Sequence, residues 1–222
     1  MKSKLINLAA LAAAVTVVLA ASPNLKGAQF RDVRELFGSG RTPSAPVAVA
    51  GHLFNQPPNG DILEVFVRGN GDGIWVNAFF HSGFGGWLLV PGGGLTPSEP
   101  AAVVHNGTLK LFVRGLGNGI WENDGNGWFP VPGGGLTLAG PSALVDRGIL
   151  KLFVTGLDQH IWENDFNGMG WSITFNGALP SPSDQLTPLK PAAVEIFPSV
   201  PLVATPLVYW TTGDGRIFQR GF

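Results

Sequence analysis

The chain has 222 residues, 45% of them hydrophobic, with 32 glycines, 18 prolines and no cysteine. That much aliphatic and aromatic material builds a packed core, so the glycines and prolines punctuate strands and do not mark a low-complexity linker. Charged side chains make up 13% and the formal net charge is −1, which excludes the basic field of a nucleic-acid binder and a polybasic membrane patch; without cysteine, packing must hold the fold.

At the N-terminus Lys2 and Lys4 precede an apolar run from about Leu5 to Ala20, then small residues through Ser22. The pattern predicts a secretory signal peptide over 1–21, shorter than the roughly 20 apolar residues of a membrane span, and hence a protein of the periplasm or extracellular space. Removing Lys2 and Lys4 from 14 basic side chains leaves 12 against 15 acidic ones, a net charge of −3. Phe30 to Phe37 (FRDVRELF) then reads as a strand directly ahead of a repeat array.

The array is written four times: VFVRGNGDGIW (65–75), LFVRGLGNGIW (111–121), LFVTGLDQHIW (152–162) and a degraded VYWTTGDGRIF (208–218). A second landmark keeps step, beginning at Thr42, Thr96, Thr137 and Thr187 and running into Pro-Ala-Val or a close variant, at spacings of 54, 41 and 50 residues. Units of this length carrying several short β-prone runs are propeller blades, because one unit cannot bury both its faces without neighbours. Turn signals divide the copies into strands at 46–50, 62–69, 73–80 and 86–91; at 100–104, 109–115, 119–124 and 127–131; at 141–145, 150–156, 160–165 and 170–175; and at 191–196, 206–212 and 215–220. The fourth copy lacks an outer strand. The expected fold is all-β: one domain over 22–222 with repeats at about 42–95, 96–136, 137–186 and 187–222. Its four blades of four antiparallel strands are closed into a ring by strand 30–37, which removes the exposed edges of an open array. The alternative is self-association into a larger ring.

The string of two apolar residues followed by F-V-R-G, four variable residues and I-W, then G-W and G-G-G-L-T with P-A-A-V, resembles the seven-bladed, fucose-binding propeller lectins of insect-associated bacteria. More loosely it resembles the fungal fucose lectins and the tectonin-like propellers. The resemblance covers about 42–222 and implies a secreted, multivalent, non-catalytic carbohydrate binder, specific for fucose or methylated sugars, with glycans of cell surfaces or glycoproteins as partners and no cofactor. Those relatives carry five to seven blades, where this chain shows four copies.

In a four-stranded meander the turn after the second strand and the link between blades lie on one face of the ring. Arg68 and Arg114 flank that turn, Trp75, Trp121 and Trp162 follow it, and the links 91–94 and 132–135 are nearly bare backbone. An aromatic plate covers the apolar face of a sugar while charged and amide groups bond its hydroxyls. The expected carbohydrate-binding residues are therefore Arg68, Trp75, Arg114, Trp121, Glu122, Asn123, Trp162, Glu163 and Asn164. The competing readings are core packing for the three tryptophans, strand-end capping or pairing with Glu for the arginines, and a solvated outer strand for Glu122 and Glu163. Trp87, Trp128 and Trp171 open the fourth strands near the opposite face and read as structural. The third copy has Thr155 in place of the arginine and the fourth carries Thr212 and Phe218, so two or three working sites are expected. His52, His81, His105 and His160 stand at non-equivalent places without ligand spacing, and no metal site is expected. No G-x-S-x-G, H-E-x-x-H or G-K-[ST] motif occurs, and the acids recur per repeat instead of standing out once, which argues against a glycoside hydrolase. A protein-binding or adhesive propeller is the remaining alternative.

Overall fold

A computed structural model describes residues 40–50, 63–80, 83–174, 189–196, 205–212 and 216–221. Among these residues every regular element is a strand. The first sheet comprises β1 (Val47–Ala50), β2 (Leu63–Arg68), β3 (Ile74–Phe80) and β4 (Gly83–Leu89), and the second β5 (Ala101–His105), β6 (Thr108–Arg114), β7 (Ile120–Asn123) and β8 (Trp128–Pro130). The third comprises β9 (Ser142–Asp146), β10 (Ile149–Thr155), β11 (Ile161–Asn164) and β12 (Trp171–Ile173), and the fourth β13 (Ala192–Ile196), β14 (Thr205–Thr211) and β15 (Ile217–Gly221). Each sheet is an antiparallel meander in chain order.

The strands fall where the repeats put them, with one shift. β4 starts at Gly83 instead of 86, because β3 runs on to Phe80 and the pair absorbs a register shift between Asn77 and Phe79. Local chemistry explains the turns. In the hairpin between β5 and β6, Asn106 and Gly107 both have positive φ (51° and 76°), the mirror-image turn that matches the twist of paired strands and that Asn-Gly adopts most readily. The turn between second and third strands closes through Gly69 N–H to Gly73 O at 2.8 Å and Gly115 N–H to Gly119 O at 2.7 Å. The repeated threonine of the landmark is buried at Thr96 and Thr137, and the Thr137 hydroxyl donates to Thr155 O at 2.9 Å, tying the link to the end of the second strand.

Alternation along the strands puts apolar residues on both faces of a sheet, so each face needs a neighbour. Phe66, Ile74 and Val76 from the first sheet meet Leu109, Leu111 and Val113 from the second. Phe112 and Ile120 meet Leu150, Leu152 and Val154 across the next gap, and Phe153 and Ile161 meet Val208 and Trp210 across the third. The first strands pack in series, β1 on β5, β5 on β9 and β9 on β13, as the inner edge of a fan of blades. That packing does not recur at similar extent between β13 and β1. The described residues thus form an arc of four sheets, the fourth with three strands, and the expected closing strand 30–37 lies outside them, as does the expected signal peptide.

The register also corrects one alignment. Thr211 pairs with Ile217 as Arg68 pairs with Ile74 and Arg114 with Ile120. Thr211, and not Thr212, therefore stands at the arginine position of the fourth repeat, while Thr212 takes the glycine's place and donates its N–H to Arg216 O at 2.9 Å.

Candidate functional site

Three clefts of one design open at the leading face of the first three blades, with volumes of about 400, 510 and 310 Å³. Gly94, Leu95, Val113, Leu116, Trp121 and Trp128 line the second. The first has Gly40, Arg41, Val67, Asn70, Trp75 and Trp87 in the corresponding places, and the third has Gly135, Leu136, Val154, Leu157, Trp162 and Trp171 with Asp158 beside them.

The build is legible residue by residue. Trp121 lies across from Val113 and shares its face, the face turned toward the preceding blade. The preceding link arrives there pinned to its own blade, with Thr96 N–H bonded to Asp72 O at 2.8 Å and Leu95 bridged to Gly73. Two glycines seat the two indoles. A Cβ on Gly115 would come within 2.7 Å of Trp121 Nε1, and a Cβ on Gly94 within 2.4 Å of Trp128 Cε2. Gly69 and Gly40 do the same for Trp75 and Trp87, and Gly156 and Gly135 for Trp162 and Trp171. Trp75 and Trp121 remain 37% and 38% exposed, which leaves an aromatic plate open to a ligand. The Nε1 atoms of Trp87, Trp128 and Trp171 are buried without a hydrogen-bond partner among the described residues, a donor that recurs once per cleft.

Of the residues predicted for binding, Trp75, Trp121 and Trp162 line the clefts and the others do not. Arg68 and Arg114 share a sheet face with Ile74 and Ile120, opposite to the tryptophans. They reach the next repeat instead: Arg68 Nη1 donates to Pro97 O at 2.5 Å and Arg114 Nη1 to Leu138 O at 2.6 Å. Thr155 makes the same tie with its hydroxyl to Leu189 O at 2.5 Å, so a shorter donor replaces the arginine without loss of the clamp. The expected convergence of cation and aromatic plate on one rim is corrected accordingly, because neighbouring residues of a strand point to opposite faces. Glu122 and Glu163 also lie on that far face and pair with Lys110 and Lys151 across the strands. Asn123 and Asn164 do share the tryptophan face, but both are buried, donating to Pro91 O at 3.3 Å and Pro132 O at 2.9 Å while accepting from Gly125 N and Phe166 N. They anchor the links.

The sequence reading missed Trp87, Trp128 and Trp171 as cleft residues. Asn123 pairs with Trp128 and Trp121 with Pro130 in strands of only four and three residues. Both ends of such strands reach one cleft, and the strand length was the available signal. Among the described residues no group of three or more His, Asp or Glu is placed to hold a metal ion, and no helix is long and apolar enough to cross a membrane.

No family model matches the chain, and no curated protein does. Among solved structures it is similar to the lectin of Aleuria aurantia, described as a fungal lectin of six-bladed β-propeller fold with a novel fucose recognition mode. Identity there is 15% and TM-score 0.51, covering 85% of this chain and 59% of that one. It is also similar to SapL1 lectin in complex with α-methyl fucoside, at 19% identity and TM-score 0.50, covering 72% of this chain and 55% of that one. The chain thus spans less than two thirds of these relatives. At such identity the likeness establishes the fold: blade-like antiparallel sheets in propeller arrangement.

Proposed function

We propose that the chain is a secreted, non-catalytic, multivalent carbohydrate-binding protein, a lectin, that takes fucose or a methylated sugar in its tryptophan-lined clefts. The observation that carries this reading is the repetition of one tryptophan-lined cleft on three successive blades, with an exposed indole, Trp75 or Trp121, in the first two and a partly buried one, Trp162, in the third, in a fold shared with fucose-recognising lectins. The open indole face suits the C–H face of a pyranose. A single site would bind with a Kd of about 1 mM, and two or more linked sites raise avidity by about 10² to 10⁴ on a glycan-dense surface.

The reading includes removal of residues 1–21 and closure of a four-bladed ring by strand 30–37. Gly40 seating Trp87 as Gly94 seats Trp128 supports closure, since the chain enters the first blade in the manner of an inter-blade link. Lys190 Nζ bonding Pro100 O at 3.1 Å, from the fourth repeat to the second, supports a narrow ring. Exposed Leu95, Leu116, Leu136 and Leu157 around the second and third clefts favour, as the second reading, an adhesive propeller with a protein partner.

The deciding experiment is a glycan array with the chain from about residue 22, competed with free fucose and its methylated derivatives, beside a Trp121→Ala variant. Selective, competable binding that weakens in the variant supports the lectin. A blank array with folded protein moves the reading to the protein partner.

A further inference from the structure

The three clefts share their valine, their two tryptophans and their seating glycines, but not their charge. In the first, the link residue is Arg41 and the turn residue Asn70. Arg41 is exposed and has no hydrogen bond or ion pair among the described residues. The second has Leu95 and Leu116 at these places and no charged lining residue. The third has Leu136 and Leu157, and then Asp158 where the second has Gly117.

Asp158 is held in position and left open. Its Oδ1 accepts from Trp162 Nε1 at 3.1 Å and from His160 N–H at 3.1 Å, its Oδ2 lies 3.3 Å from both Trp162 Nε1 and His160 Nδ1, and its side chain is still 45% exposed. A carboxylate fixed at the edge of an indole is the arrangement that recognises an organic ammonium, by ion pairing on one side and cation–π attraction on the other. An exposed guanidinium on the lining of a cleft, without a partner among the described residues, is a group that recognises a carboxylate or sulfate.

We infer that the clefts, each able to take a neutral sugar, differ in preference by charge: the first favours an anionic sugar such as a uronate, the second a neutral one, and the third a sugar carrying an amine. The identification of the ligands as sugars rests on the lectin reading, whereas the sorting rests on Arg41 and Asp158. A protein built this way engages a mixed glycan surface through one repeated contact with a different charge preference at each copy.

The test follows indole N–H signals of the whole protein by NMR, assigned with Trp75→Phe, Trp121→Phe and Trp162→Phe. The titrants are methyl glucoside, methyl glucuronide and methyl glucosaminide, with cyclohexanecarboxylate and cyclohexylamine as ions without a sugar, at about pH 8, where an imidazole is ordinarily neutral. The glucosaminide is expected to shift Trp162 at roughly two- to five-fold lower concentration than the glucoside, the size of a partly exposed charge pair. Asp158→Asn, which keeps the acceptor for Trp162, should abolish that preference and leave Trp75 unaffected. The glucuronide should favour Trp75 by a similar factor, lost in Arg41→Gln. If all three glycosides move each indole equally, the sorting is overturned and the lectin reading stands. Should only the cyclohexyl ions sort, the charge assignment stands for ligands other than these glycosides. No shift with any titrant overturns the sorting, and the lectin reading falls with it only if methyl fucoside also leaves every indole unmoved.

Discussion

Replacing Gly94 by alanine perturbs the cleft design at its tightest point. The added Cβ would lie 2.4 Å from Cε2, 2.5 Å from Nε1 and 2.8 Å from Cζ2 of Trp128, against a carbon–carbon contact of about 3.5–4.0 Å. The ring must retreat by about 1 Å on that count. It cannot do so freely, because Trp128 is packed against the core formed by Leu109, Leu111 and Val113. Overpacking of this kind costs about 1–3 kcal/mol. Two neighbouring glycines separate the causes. Gly93 has φ of +65° and nothing within 4 Å of an added Cβ, whereas Gly117 has open space and no such φ. Gly93→Ala should therefore cost about 1–2 kcal/mol from left-handed strain alone. Gly117→Ala should be neutral or stabilise by up to about 1 kcal/mol through the unfolded chain. Urea denaturation followed by circular dichroism measures all three. The third blade supplies a replicate, since a Cβ on Gly135 would meet Trp171 Nε1 at 2.4 Å. A Gly94→Ala protein as stable as Gly117→Ala would refute the seating of the indole on glycine.

Two further outcomes follow from the same geometry. Arg114→Ala should lower stability by about 1–3 kcal/mol, because it strips Leu138 O and Asn118 Oδ1 of a charged donor; unchanged urea midpoints would return the arginine to the candidate ligand contacts. Burial holds the Lys190 ammonium below its ordinary 10.5, with Glu99 pulling the other way. The folded protein thus gives up this proton before the unfolded chain does, so stability rises with pH between the depressed value and 10.5 and is lost as pH falls through that window. Lys190→Met should flatten the rise in urea midpoint as the pH approaches 10.5 from below, relative to the wild type, and equal slopes in the two proteins would show that the lysine is not responsible.

The sequence by itself determined the elements and their repetition. Alternating apolar strands, Gly-rich turns and a recurring threonine landmark are local, and local rules of turn and strand chemistry put fourteen of the fifteen strands within two residues of where they stand. Those rules also picked out Trp75, Trp121 and Trp162. They failed at contacts between blades, because what a side chain meets there depends on the neighbouring sheet and not on its own strand. Arg68 and Arg114 read as ligand contacts from their place beside a turn, yet strand parity turns them to the next repeat. Trp128 read as remote from Trp121, yet three-residue outer strands and a bare Gly94 bring both indoles to one cleft. Arg41 carries no signal as a single residue and joins a cleft only because the stretch ahead of the first blade folds against Trp75 and Trp87, whereas Asp158 meets the Trp162 indole inside its own turn and only the folded cleft shows that it faces a ligand space.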